Sequence, residues 1–286
     1  MKTNQLEKAY WYCEWITSHH YENFPVASLL LPPSIRPHVA AIYAFARCAD
    51  DYADEAKYRG ESLRLLDGWR SALWACSTNG ASHPIFLALA DTISRCNLPV
   101  QLLDDLLTAF TMDVTKKRYA DWEELLTYCR LSANPVGRLV LLIFGLTDPS
   151  LAEWSDRICT GLQLANHWQD LGVDFLEKNR LYVPKTLLSQ HRVSETELRG
   201  IKMGLVPSGF HPLMTDLVQR ARTLFDGGES LLKHVTGSLR LELKLTLLGG
   251  RSILDKIEAS DYDVIRRRPV LSGVNKLRLL THALCS

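Results

Sequence analysis

The chain has 286 residues, 47% of them hydrophobic and 23% charged, with a formal net charge of +1. This is ordinary for a soluble globular protein and long enough to bury a substantial core as one large domain or two small ones. A net charge so close to zero gives no electrostatic ground for binding nucleic acid.

The opening stretch MKTNQLEKAYWYCEW has no secretory apolar segment, and the longest apolar run, LVLLIFGL at 139–146, is far too short to span a bilayer. Seven cysteines stand at 13, 48, 76, 96, 129, 159 and 285, an odd number with no Cys-x-x-Cys pair. That usage fits a reduced compartment rather than a disulfide framework or a zinc site. The nine histidines show no His-x-x-x-His spacing and read as surface or core residues.

Helical periodicity runs through most of the chain. SLRLLDGWRSALWA, VQLLDDLLTAFTMDV, WEELLTYCRLSANPVGRLVLLIFGL and SDRICTGLQLANHWQDLGVDFLEKN all place apolar residues at three- and four-residue steps. Breakers fall between them, at LPPSIRP (31–37), STNGASHP (77–84), TDPS (147–150) and VPSGFHP (206–212). Clean period-two stretches with hairpin turns are missing. The reading is an all-α protein of about ten helices, layered as a bundle around a central cavity and organised as a single domain over 1–286. No linker, low-complexity run or repeat is visible.

Two stretches carry the chemistry. In YAFARCADDYADE (43–55), Tyr43, Arg47, Asp50 and Asp54 step by four, three and four, so a helix would place them on one narrow stripe, with Asp51 roughly 100° away. In QLANHWQDLGVD (163–174), Gln163, Asn166, Asp170 and Asp174 form a second stripe. Like charges four apart repel and cost a few tenths of a kcal/mol. One such pair is commonplace on a solvated face, but two matched pairs in otherwise apolar helices shift the balance, since carboxylates facing a cavity must be paired or bind cations. Oxygen-only ligands suit Mg²⁺, which bridges carboxylates to substrate phosphates. Mg²⁺ could then neutralise a departing diphosphate, and an apolar helical cavity could enclose the resulting carbocation.

These paired stripes, the all-α pattern and the YCR..A..VG segment resemble the squalene/phytoene synthase family of head-to-head prenyl synthases, over residues from about 10 to about 280. HYENFPVASLLLP, RLSANPVGRLVL, LANHWQDLGVD, LRLELKLTLLGG and RRPVLSGVNKL are similar to the bacterial branch that makes hydroxysqualene in hopanoid pathways. The resemblance implies an isoprenoid-synthase fold and a Mg²⁺-dependent conversion of presqualene diphosphate and water to hydroxysqualene and diphosphate. It implies that Asp50, Asp54, Asp170 and Asp174 hold Mg²⁺, with Asn166 supporting the second pair. Arg47 and Tyr43 would face the diphosphate, and Gln163 the cavity. Tyr128 would assist ionisation or proton transfer. Ala133 and Gly137 would make room for the isoprenoid tail, Arg180 and Tyr182 would close over the diphosphate, and Tyr262 would lie near the phosphates. Arg266–Arg268 with Lys276 could bind phosphate or be a solvated surface. Asp104 and Asp105 read as a surface pair, and Asp113 as a weaker cavity candidate.

Three positions depart from the family pattern. Asn23-Phe24 replaces Ser-Phe, and Asn23 can still hydrogen-bond phosphate. Gln169 stands where many members carry an arginine, which casts doubt on condensation of farnesyl diphosphate and agrees with a start from presqualene diphosphate. Asn134-Pro135 replaces smaller residues, and Asn134 could orient water. No Gly-x-Gly-x-x-Gly turn is present, so no nicotinamide cofactor is expected. Two other readings stay open: head-to-head condensation of two prenyl diphosphates to presqualene diphosphate, squalene or phytoene, and a non-catalytic helical isoprenoid-binding protein. The expected setting is cytoplasmic, with a peripheral contact on the inner face of the membrane because substrate and product are greasy. The expected functional links are to a presqualene diphosphate synthase and a hydroxysqualene reductase.

Overall fold

A computed structural model describes residues 2–19, 30–76 and 81–285. Among them are fourteen α-helices and no β-strand, so the all-α expectation holds. The chain gathers into two compact units, each built from non-consecutive segments.

The first unit spans residues 1–115 with 135–152 and 237–242. It contains α1 (Lys2–His19), α2 (Arg36–Asp54), α3 (Ser62–Cys76), α4 (Pro84–Cys96), α5 (Val100–Thr115) and most of α7 (Asn134–Ile143). α2 packs against α1, α3, α4 and α5. Its sequence explains that position: Ala40, Ala41, Ala44 and Ala49 are buried small residues that let neighbours approach, and Phe45 is the large one among them. The Trp69 ring lies near Phe45 (centroids 6.1 Å apart, planes at 16°), and its indole N–H donates to the Phe45 carbonyl at 3.2 Å. α4 starts on His83, which accepts from the Ile85 N–H, with Pro84 in the first turn, and ends on Asn97 in the left-handed region at φ 49°.

The second unit spans 116–134, 153–236 and 243–286. It contains α6 (Trp122–Ser132), α8 (Pro149–Gln169) from Glu153 on, α9 (Leu171–Leu176), α10 (Lys185–Gln190), α11 (Glu195–Ile201), α12 (Phe210–Gly228), α13 (Gly237–Ala259) from Leu243 on, and α14 (Gly273–Cys285). Phe225 of α12 is fully buried where α8 and α13 come close. A Cβ on Gly161 would sit 2.9 Å from its ring and one on Gly250 2.6 Å from it, so glycine at both positions admits the ring.

The sequence reading undercounts helices for two reasons. α9, α10 and α11 have only six or seven residues, too few to show a periodic apolar face. Two stretches that read as continuous are also divided, one at Ala133 between α6 and α7 and one at Asp170 between α8 and α9. None of the six described cysteines is in a disulfide.

Candidate active site

Each unit carries one of the two acidic stripes. In the first unit the expected stripe forms: Tyr43, Arg47, Asp50 and Asp54 are partly accessible on α2, while Ala41, Ile42, Ala44, Phe45 and Ala49 beside them are buried. Arg47 holds two carboxylates, Asp50 at 3.1 Å and Asp51 at 2.5 Å. Asp51, set aside on angular grounds, is therefore part of the arrangement, because the guanidinium fork spans residues three and four positions on. The Arg47 Nε is buried with no partner. Burial pushes the Asp50 carboxyl up to about 7; repulsion from Asp54, Asp113 and Asp51 adds to it and Arg47 opposes it. Asp113 on α5, a weak candidate from the sequence, is buried and contributes its charge at Asp50. Asp104 is not a bare surface residue, since it accepts from Arg70 at 2.8 Å and from the Trp74 indole at 3.1 Å.

In the second unit the stripe survives a break in its helix. Asp170 leaves helical geometry (φ −98°, ψ 8°), which contradicts a single uninterrupted helix. The four-residue ladder nevertheless continues on both sides: the Asp170 N–H donates to the Asn166 carbonyl and the Asp174 N–H to the Asp170 carbonyl, both at 2.8 Å. Gln163, Asn166, Asp170 and Asp174 are the accessible residues here, while Leu164, Ala165, His167, Trp168 and Gln169 are buried. Burial pushes the Asp174 carboxyl up to about 6; Asp170 adds repulsion, and Lys178 and Arg180 oppose it. Arg268 grips both carboxylate oxygens of Asp170 through Nε and Nη2, the latter at 3.1 Å.

Beside this stripe lies a wall of aromatic rings. Tyr128, buried on α6, has Tyr119 at 5.6 Å, Tyr182 at 5.5 Å and His167 at 5.8 Å between ring centroids. His167 stacks on Tyr182 at 3.6 Å with planes 12° apart. Burial, with the charge of Arg180, pushes the His167 imidazole down to about 3, so it is neutral at physiological pH. Gln163 reaches the ring at 3.4 Å. Arg180 is buried, and its N–H donates to the Asp174 carbonyl at 2.8 Å. The segment carrying Arg180 and Tyr182 is fastened by the Leu181 N–H on the Lys117 carbonyl at 3.0 Å and by Arg118, which donates to Asn179 and to Glu195.

The remaining expected residues have the following surroundings. The Tyr262 hydroxyl accepts from Thr215 of α12 at 3.0 Å, and its ring lies beside His211. Asn134 is buried, and its side-chain oxygen accepts from Thr160 at 2.9 Å. Ala133 is buried at the end of α6, and Gly137 is half-buried on α7. Asn23 lies outside the described residues. Gln169 is fully buried and donates to the Pro269 carbonyl at 2.5 Å, so it fastens the segment that carries Arg268.

Whether Mg²⁺ suits these residues is decided by the donors. Each stripe offers hard oxygen ligands, and in each one carboxyl, Asp50 or Asp174, is pushed up by burial and by a neighbouring carboxylate, both of which a divalent cation relieves. Among the described residues, no three Asp, Glu, His or Cys side chains converge on one point, so each stripe offers a pair of carboxylates. A pair leaves most of an octahedral shell to water and substrate phosphate, which is how Mg²⁺ is commonly held.

Comparison with known proteins shows the family. The squalene/phytoene synthase family model matches residues 17–275, and the chain belongs to that family. It is 39% identical over 268 residues to a hydroxysqualene synthase of Sinorhizobium fredii, covering 92% of this chain and 87% of that one. It is 42% identical over 174 residues to the hydroxysqualene synthase of Rhodopseudomonas palustris, covering 60% and 58%. Among solved structures, it superposes on the squalene synthase HpnC of Alicyclobacillus acidocaldarius with a TM-score of 0.83 at 41% identity, covering 90% and 95%. A dehydrosqualene synthase solved with a ligand matches with a TM-score of 0.87 at 21% identity, covering 100% and 98%, and shows the shared fold. The chain is an enzyme of the prenyl-synthase type.

Proposed function

We propose that this enzyme converts presqualene diphosphate and water to hydroxysqualene and diphosphate, with Mg²⁺ as cofactor. The observation that carries the reading is the pair of accessible carboxylate stripes beside buried apolar neighbours on their helices, in a chain 39% identical to a hydroxysqualene synthase over most of its length.

Asp50 and Asp54, and Asp170 and Asp174 with Asn166, are the ligands in this reading. The metal supplies Lewis-acid neutralisation of the leaving diphosphate. Arg47, with a buried Nε lacking a partner, offers a donor to a phosphate oxygen. Arg180 and Arg268, placed at Asp174 and Asp170, add positive charge where the diphosphate's charge grows. The Tyr128, Tyr182 and His167 rings present π faces that stabilise a carbocation. A neutral His167 suits that task, since an imidazolium would repel the cation. Tyr128 is the hydroxyl available to take part in proton transfer. Gln163 lines the same wall, and Tyr43, Ala133, Asn134 and Gly137 complete the substrate-binding set.

In this reading the enzyme is linked functionally to one that supplies presqualene diphosphate and to one that reduces the alcohol it forms. We place the reaction on the cytoplasmic side, with the protein resting peripherally on the membrane that holds its product. Among the described residues no helix is long and apolar enough to cross a membrane. The reading is tested by turnover of presqualene diphosphate in Asp50→Asn and Asp170→Asn. Each should lose activity by orders of magnitude with helix content intact, and near-normal turnover in either removes that stripe from the site.

A further inference from the structure

Among the described residues thirteen large apolar side chains are exposed, and seven fall in two short segments of the second unit: Met203, Leu205 and Val206 after α11, and Val270, Val274, Leu277 and Leu284 along the C-terminal segment. Met203 is 77% exposed and Leu205 67%; Val274 and Leu277 are each 62% exposed. Such clustering departs from the scattered single apolar residues of an ordinary surface.

Both segments are held in shape. After α11, the Gly204 N–H donates to the Ile201 carbonyl and the Leu205 N–H to the Gly200 carbonyl, at 2.9 and 3.2 Å, with Gly204 at φ 87°. This is a Schellman turn, and it holds Leu205 outward in a defined position. In α14, Val274, Leu277 and Leu284 fall within an arc of roughly 80°. The opposite face carries buried Ala283, and Lys244 donates to its carbonyl at 3.0 Å. The exposed stripe is therefore the outer side of a docked helix.

Cations accompany both. Residues 264–286 contain Arg266, Arg267, Arg268, Lys276 and Arg278 and no acid, with Arg266 paired to Asp263 at 2.8 Å and Arg268 to Asp170, and residues 198–212 contain Arg199 and Lys202 and no acid. A pocket of about 410 Å³ brings the two segments together: Lys202 lines it with Arg266, Arg268, Val264 and Ile265. Glu177 is the one acidic side chain in its lining.

We propose that this surface docks the enzyme on an anionic phospholipid bilayer, with Met203, Leu205, Val274 and Leu277 entering the interface and the basic pocket receiving a headgroup phosphate. The pairing of apolar anchors with surrounding cations is what interfacial binding to anionic lipid uses. The proposal deepens the peripheral membrane contact of the preceding reading and rests on it for its setting, but its test needs no turnover.

The full-length protein is sedimented with vesicles of phosphatidylcholine alone and of phosphatidylcholine with phosphatidylglycerol. Wild type should partition onto the anionic vesicles, and salt should weaken it. Leu205→Ser with Leu277→Ser should lower partitioning about tenfold or more. Lys202→Gln with Arg278→Gln should lower it by about fivefold per charge removed. Circular dichroism and turnover of detergent-dispersed presqualene diphosphate should stay at wild-type levels in both. Absence of wild-type binding to anionic vesicles overturns the proposal, as does unchanged partitioning of the Leu205→Ser/Leu277→Ser protein. A wild-type dimer by light scattering that this variant splits, with partitioning unaltered, would instead make the face a contact between copies. Vesicle binding without turnover leaves the surface standing and sinks the catalytic reading, and turnover without vesicle binding does the reverse.

Discussion

Gly172 is where the backbone of α9 meets the segment that delivers Arg268. A Cβ there would stand 2.6 Å from the Ile265 carbonyl oxygen, 2.8 Å from that of Val264 and 2.9 Å from the Ile265 Cα. All three are backbone atoms, so no rotamer change relieves the clash. Gly172→Ala must displace residues 264–265, and with them the bidentate grip of Arg268 on Asp170 and the Gln169 bond to Pro269. Overpacking of this kind costs about 1–3 kcal/mol. Taking about 2 kcal/mol for a chain of this size, Tm should fall by about 3 °C. Gly68→Ala is the control: Gly68 sits inside α3 with nothing within 4 Å of an added Cβ, so alanine there should stabilise by about 0.5–1 kcal/mol. Urea unfolding of both variants measures the stabilities, and turnover of presqualene diphosphate measures the site. Gly172→Ala should lose both stability and kcat/KM. A Gly172→Ala protein as stable and active as wild type would refute the close approach and the role given to the Arg268 segment.

Asp50→Asn should abolish most of the thermal stabilisation that Mg²⁺ confers on wild type in differential scanning fluorimetry, because a ligand stabilises only the state that binds it; equal stabilisation of both proteins removes Asp50 from the ligands. Glu242, with a buried Oε1 lacking a partner, has its carboxyl pushed up to about 7 by burial. The folded state thus holds this proton more tightly than the unfolded chain, so its contribution is full below the usual carboxylate range and is lost as pH rises to about 7 and beyond. Glu242→Gln should therefore gain about 1 kcal/mol at pH 8, after allowance for partial solvent access, and nothing at pH 4; urea midpoints at the two pH values decide it. His167→Phe should keep stability within about 1.5 kcal/mol of wild type, whereas His167→Ala should lose about 2–4 kcal/mol through the void left against Tyr182. Calorimetry separates the two, and equal losses would deny the stacking its role.

Both acidic stripes were legible in the sequence because residues three and four apart share a helix face regardless of the rest of the fold. For the same reason the helices themselves could be read where they are long. The partners of the stripes could not. Arg268 lies 98 residues from Asp170, Pro269 lies 100 from Gln169, and Asp113 acts on Asp50 from another helix; no local periodicity encodes such pairings. His167 could not be distinguished from the other histidines, which read as surface or core residues, because its stacking partner, Tyr182, comes from an irregular segment. Gln169 shows how a sequence difference acquires a second meaning: a lost arginine in the family pattern is, in the folded chain, the anchor of the segment that supplies Arg268. Tyr262 had a family role but no local pattern, and its hydroxyl turns out to be engaged by Thr215.

The most direct test of the proposed reaction is product analysis of the purified enzyme with Mg²⁺ and no reductant, given presqualene diphosphate in one reaction and farnesyl diphosphate in another. Hydroxysqualene from presqualene diphosphate, with farnesyl diphosphate untouched, is the predicted result. Consumption of farnesyl diphosphate would contradict it, making the enzyme a head-to-head condensing synthase.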